Sequence, residues 1–384
     1  MSDDCFKTVN RKNTNSVKWD MIDGDYVSFS VADSDYLTPK SIAERIQKRL
    51  EHGVFGYTFV DDEFYDIVSK WVKRRYHYDL YQDEMVQTSG IVSSLNYAIK
   101  MLNDKSESVV IQTPVYYMFY PLVNSSGKIL KENPLINNNG HWEMDLENLE
   151  EIFKTGCKIM ILCNPHNPVG RTYTKQELLS LVNLAKKYDV YILSDEIHCD
   201  FIMDGYEFHS LNTFSDVYDK IMVFFAPSKT FNIAGLKISI VSSKNKKLIE
   251  SYKRTIEKAY YGSTSLLSVE ALKAAYTECD EWLLRQNEHI SENYHLLVNH
   301  FKTHHKGVVV SKNEATYLAW IDLRCLGKTC EELYQELLDE GVLIAGGLKY
   351  GEQCNGFIRI NFACSKEQLI TGLNRITNFI KKLC

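Results

Sequence analysis

Four apolar runs in the middle of this 384-residue chain each end in residues able to do chemistry. SVVIQ (108–112) leads into TPVYYMFY, and KIMILCN (158–164) into the turn NPHNPVGR. VYILSD (190–195) runs into DEIHCD, and IMVFFA (221–226) into SKTFN. Their ends carry tyrosines, the amide Asn167, the acid Asp195 and the amine Lys229. Asn167 and Asp195 lie 28 residues apart, and Asp195 and Lys229 lie 34 apart. A strand–helix unit takes roughly 30 residues, so these groups fit the ends of successive strands. An ammonium at the end of a buried strand is costly unless paired or neutralised. A lysine in a desolvated cleft is, however, a good nucleophile and forms Schiff bases with aldehydes. The competing structural readings are a snorkelling lysine, an aspartate helix cap and ordinary Asn-Pro-Gly turn chemistry.

The elements that must position these groups are legible. Val-, Ile- and Phe-rich runs, with KISIV (237–241) as a fifth, read as buried strands. Between them, 174–189 reads as an amphipathic helix with apolar positions Leu178, Leu181, Val182 and Ala185, and with Thr174 and Glu177 as a capping box. The alternation predicts a mostly parallel sheet with helices on both faces, whose ligands sit beyond the carboxyl ends of the strands. The segment 133–145 reads as a loop. Beyond about residue 250 the character changes. A long helical stretch covers 246–300, half-buried strands follow at GVVVSKN, TYLAWIDL and GFIRINFA, and helical pieces lie at 329–340 and 365–382. That reads as a smaller α+β part. In GFIRINFA, the period of two puts Phe357, Arg359 and Asn361 on one face, and a guanidinium fork there suits a carboxylate.

Composition is that of an ordinary globular protein, 45% hydrophobic and 24% charged, with a net charge of −6 that offers nothing to nucleic acid. The polar N-terminus carries no secretory signal, and no apolar run of about 18 residues predicts a membrane span. The ten cysteines, Cys384 the last of them, form no C-x-x-C pair and read as reduced, mostly buried thiols of a cytoplasmic protein. The cluster Asp195, Glu196, His198 and Asp200 lacks a second group of ligand spacing, so no metal is expected. His304 and His305 read as solvated surface residues.

Over nearly its whole length the chain resembles the fold-type I pyridoxal-phosphate enzymes of the class I/II aminotransferase group. Within them it is most similar to the cystathionine β-lyase (carbon–sulfur lyase) branch that includes the maltose-regulon modulator proteins. The motifs are SVKWD (16–20), VADSDYLTP (31–39), LEHGVFGYT (50–58), TPVYY (113–117), ILCNPHNPVGR (161–171), LSDEIHCD (193–200), SKTFNIAGL (228–236) and FIRINFAC (357–364).

The resemblance implies a large cofactor-binding domain over 41–284 and a small α+β domain from 1–40 and 285–384. It implies that Lys229 carries pyridoxal 5'-phosphate as an imine and takes the substrate's α-proton, while Asp195 faces the pyridine nitrogen. His198 and Asn167 would lie by the phenolic oxygen, and Tyr116 against the ring face. The phosphate would meet Gly90, Ile91 and Val92 at a helix start. It would also meet Ser228, Lys237 and Tyr57, the last entering from the neighbouring subunit of a homodimer. Many relatives place a serine where this chain has Ala226. Arg359 would hold the substrate carboxylate, and Tyr117 would line the substrate pocket. Two departures bear on the leaving group: VADSDY stands for the more usual VADMDF, and AGGLKYGEQCNGF lacks a phenylalanine common in relatives.

The implied reaction is β-elimination from cystathionine, cysteine or another S-substituted cysteine. Transamination by the same residues is the alternative, and binding of a transcription activator is an alternative of another class.

Overall fold

The computed structural model describes residues 3–260 and 264–383. Part of the helical stretch expected over 246–300, together with Cys384, lies outside the described residues. Seven strands form the central sheet: β1 Met85–Thr88, β2 Ser108–Thr113, β3 Ile129–Pro134, β4 Ile159–Cys163, β5 Tyr191–Asp195, β6 Ile221–Phe225 and β7 Ser239–Ser242. Their order is β1-β7-β6-β5-β4-β2-β3. All neighbours run parallel except β7, which is antiparallel to both β1 and β6. Every residue of β2, β4 and β6 is buried, as strands covered on both faces require.

The helix expected at 174–189 spans Lys175–Tyr188. Thr174 and Glu177 close the capping box, and all four anticipated apolar positions are buried. The segment 133–145 is more ordered than a loop. Ile136–Asn138 pairs antiparallel with His141–Glu143 across Asn139 and Gly140. Both of these residues have positive φ, the geometry of a tight hairpin turn, for which Asn-Gly is favoured.

A second, antiparallel sheet has the order β8-β9-β11-β10. Its strands are β8 Val309–Val310, β9 Leu318–Asp322, β10 Ala345–Gly346 and β11 Phe357–Asn361. The N-terminal segment joins this part of the molecule, since Val27–Ser28 pairs in parallel with Val342–Leu343. The expected boundary at 284/285 falls inside one continuous helix, Asp280–His304, which packs on the C-terminal helix Lys366–Leu383. At that contact His305 is buried rather than solvated, with its Nε2 3.2 Å from Thr377 Oγ1, while His304 is exposed. Cys157, Cys163, Cys199, Cys279, Cys330, Cys354 and Cys364 are buried thiols. Among the described residues no helix is long and apolar enough to cross a membrane.

Candidate active site

The carboxyl ends of β1, β2, β4, β5 and β6 open into one cavity of about 930 Å³, closed on the far side by β11 and the N-terminal segment. Lys229 sits in a single helical turn, Pro227–Thr230, directly after β6. Proline at the first position starts that turn with φ already set. The turn is tied down from behind. Thr230 Oγ1 donates to Asp200 Oδ2 at 2.8 Å, and Gln286 Nε2 donates to the Thr230 carbonyl at 2.9 Å. Lys229 is half-buried and donates from Nζ to the Ala32 carbonyl. Its enclosure pushes its pKa down, with Arg359 and Lys237 acting the same way against the pull of Asp33 and Asp195.

Asp195 ends β5 and is buried. Among the described residues its hydrogen-bond donor is a backbone group, the Ile197 N–H, which reaches Oδ1 at 3.1 Å, and burial lifts the carboxyl to about 7. His198 is buried, its Nδ1 has no hydrogen-bond partner among the described residues, and burial drops its pKa to about 3, so the ring is neutral.

Asn167 stands on the NPHNPVG turn. Gly170 closes that turn at φ +76°, where a Cβ would lie 1.7 Å from Asn313 Oδ1, so only glycine fits. Asn167 Oδ1 accepts from Arg359 Nη1 at 3.1 Å. Arg359 is 2% exposed; its Nη2 donates to the Ser30 carbonyl at 2.6 Å, its guanidinium lies 5.1 Å from the centre of the Tyr350 ring, and its Nε has no partner among the described residues. A buried guanidinium with an orphan donor fits an incoming carboxylate.

Gly90, Ile91 and Val92 line the cavity at the start of the helix Ile91–Met101, and Ser228 and Lys237 line it nearby. Lys237 holds a left-handed φ of +57°, uncommon for a residue with a side chain. Tyr116 and Tyr117 line the cavity with ring centres 5.1 Å apart, and burial raises the Tyr116 phenol. The structure thus gathers twelve of the thirteen expected site residues. Tyr57 is the exception: fully exposed, it lines a separate groove with Phe55 and Leu266.

The sequence reading missed the outer wall, made by Val17, Met21, Ile22, Tyr334, Ile344 and Lys349. The SVKWD resemblance and the AGGLKYGEQCNGF departure touched it only at Val17 and Lys349, because it arises from segments remote in sequence. The two sequence departures separate here. Ser34 is buried and does not line the cavity, whereas Lys349 and Tyr350 do. The acids and histidine of DEIHCD also part company: Glu196 accepts from Ser194 and the Leu211 N–H, and Asp200 accepts from Tyr76 and Thr230.

The donor set fits pyridoxal 5'-phosphate. It offers an amine for the aldehyde, an acid for the ring nitrogen and an aromatic face. Helix-start amides with Ser228 and Lys237 suit a phosphate.

The chain matches the family described as aminotransferase class I and II over residues 24–376. It is 34% identical over 378 residues to "Cystathionine beta-lyase PatB" of Bacillus subtilis, covering 96% of this chain and 98% of that one. It is 29% identical to "Protein MalY" of Escherichia coli, with 98% and 99% covered. Among solved structures, cystalysin from Treponema denticola, which contains a pyridoxal 5'-phosphate cofactor, superposes with a TM-score of 0.96 at 31% identity and full coverage of both chains. The PLP-bound C–S lyase from Staphylococcus hominis, complexed with L-cycloserine, superposes with a TM-score of 0.92 at 31% identity, covering 98% and 99%. The protein therefore belongs to the aminotransferase class I and II family.

Proposed function

We propose that this protein is a pyridoxal 5'-phosphate-dependent carbon–sulfur lyase of the cystathionine β-lyase type. It converts an S-substituted cysteine and water to a thiol, pyruvate and ammonia. The observation that carries this reading is the convergence of Lys229, Asp195 and Arg359 on one cavity, in a chain similar throughout to proteins named as C–S lyases.

When bound, the cofactor supplies an aldehyde for the amino group and an electron-poor ring that takes up the charge left at the α-carbon. Lys229 would hold the cofactor through its amine and would move the α-proton; its enclosure lowers its pKa, which favours the neutral form. Asp195 would serve the ring nitrogen, where a cation would favour its carboxylate form against the effect of burial. Arg359, braced by Asn167 and Ser30, orients the α-carboxylate. His198 and Asn167 would serve the phenolic oxygen, Tyr116 and Tyr117 would shield the ring, and Gly90, Ile91, Val92, Ser228 and Lys237 would hold the phosphate.

The protein works as a homodimer in which Tyr57 completes the neighbouring phosphate site, a reading supported by the exposure of Tyr57 with Phe55 and Phe59. The division into domains 41–284 and 1–40 with 285–384 is supported by the two sheets and by the pairing of Val27–Ser28 with Val342–Leu343. A reducing, cytoplasmic setting is supported by the buried thiols.

The test is pyruvate release from cystathionine and S-methylcysteine without added keto acid. Release at turnover rates is the expected result. Transamination is the second reading, favoured by the family itself, and amino transfer to a keto acid without thiol release would replace the lyase with it.

A further inference from the structure

The charges on the cavity wall are lopsided. Four cations line it, Lys229, Lys237, Lys349 and Arg359, against one carboxylate, Asp195. The roles proposed above use three of the cations and the single acid. Lys349 is left over. It makes no hydrogen bond, ion pair or ring contact among the described residues, and it directly precedes Tyr350, whose ring underlies the Arg359 guanidinium. The rest of the outer wall is largely apolar: Val17, Met21, Ile22, Leu343 and Ile344, with Tyr334.

That wall is firmly held. Lys18, between these residues in sequence, is fully buried and bonded to Asp35 at 2.8 Å, so the segment bearing Val17 and Met21 is anchored against the site. Val17 is 65% exposed and Met21 72% exposed. These are large apolar side chains with area left for a ligand to cover.

We infer that Lys349 reads the end of the group carried on the substrate sulfur, and that the protein selects S-alkyl cysteines whose short apolar chain ends in a carboxylate over those ending in an ammonium. The inference rests on the lyase reading. An aliphatic linker fits the apolar wall, a terminal carboxylate meets the unpaired Lys349 ammonium, and a terminal ammonium meets that same like charge with no spare acid. Cystathionine carries both charges at its far end, and only its carboxylate finds a partner. It therefore ranks below the simple acid.

The experiment compares S-(2-carboxyethyl)cysteine, S-(2-aminoethyl)cysteine and S-propylcysteine with the holoenzyme and with Lys349→Met and Lys349→Glu. Pyruvate release gives kcat/KM. The three thiols differ in how readily they leave, but that difference is common to wild type and variants and cancels when ratios are compared. Lys349 is exposed, so the expected result is a KM for the acid about three- to fivefold below that for the amine, the size of a solvent-accessible charge contact. The acid-to-propyl ratio should fall several-fold in Lys349→Met, and the order of acid and amine should reverse in Lys349→Glu. Acid-to-amine ratios equal within twofold in wild type and both variants would overturn the assignment. If no analogue releases pyruvate, the lyase reading falls instead. Dissociation constants for the same analogues, read from the shift in the bound cofactor's visible absorbance, then decide Lys349: acid tighter than amine upholds it, and equal affinities overturn it.

Discussion

Two lysine–aspartate regions lie close together in this molecule and behave in opposite ways. In the N-terminal clamp, Lys18 Nζ sits 2.8 Å from Asp35 Oδ2. Asp35 also receives Arg11 Nη1 at 3.0 Å, Trp19 Nε1 at 2.9 Å and Gln368 Nε2 at 2.8 Å. Burial alone would raise the Asp35 carboxyl, but Lys18 and the other donors outweigh it and hold it low. At the cavity, Asp195 has one backbone donor and burial wins, lifting it to about 7, while Lys229 is pushed down and bonds only a backbone carbonyl. The number of donors separates them. A carboxylate with four donors is finished and serves as scaffold. One with a single donor awaits a ligand that brings charge of its own.

The strongest way to break this contrast is to remove the amines and acids in turn. Lys229→Ala should lower pyruvate release by about 10³-fold or more, and dialysis should strip its yellow colour, because the residue both attaches cofactor and moves the proton. Retention of colour and activity would end the assignment. In the clamp, Asp35→Ala leaves the Lys18 ammonium buried and unpaired. Urea unfolding should then show a loss of about 3 kcal/mol or more, and a loss below about 1 kcal/mol would mean that water reaches the pair.

Asp195 sharpens the contrast through pH. Its folded pKa lies above the ordinary carboxylate value, so between about pH 4 and pH 7 the folded, cofactor-free protein holds a proton that the unfolded chain has released. Stability from this group is therefore greatest at low pH and declines as pH rises through that window. Asp195→Asn cannot titrate and should show a shallower decline in urea midpoint between pH 5 and 7.5 than the wild-type apoprotein. Parallel pH profiles would contradict the proposed burial. The smallest effect is expected at Arg359→Lys, which keeps the charge but loses the fork. KM should rise roughly tenfold with a lesser change in kcat, and an unchanged KM would place the α-carboxylate elsewhere.

The parallel strands were readable because strands covered on both faces are continuous apolar runs, as in IMILC and IMVFF. The edge strand β3, largely exposed and polar, gave no such signal, and the Asn-rich hairpin at 136–143 looked like a loop because its turn and strands are equally polar. His305 looked solvated because its neighbours are polar in sequence. A helix more than 60 residues downstream covers it.

By itself the sequence determined which chemical groups stand at the strand ends, since a strand's end and the turn after it are local and their spacing is set by the strand–helix repeat. Lys229, Asp195 and Asn167 follow from that. Tertiary structure alone decided the Lys18–Asp35 clamp, the apolar wall from Val17 to Ile22, the bracing of Arg359 by Asn167 and the isolation of Lys349. Each of these depends on which remote segments meet, and so on how many donors reach a given charge, a quantity that no local pattern of residues encodes.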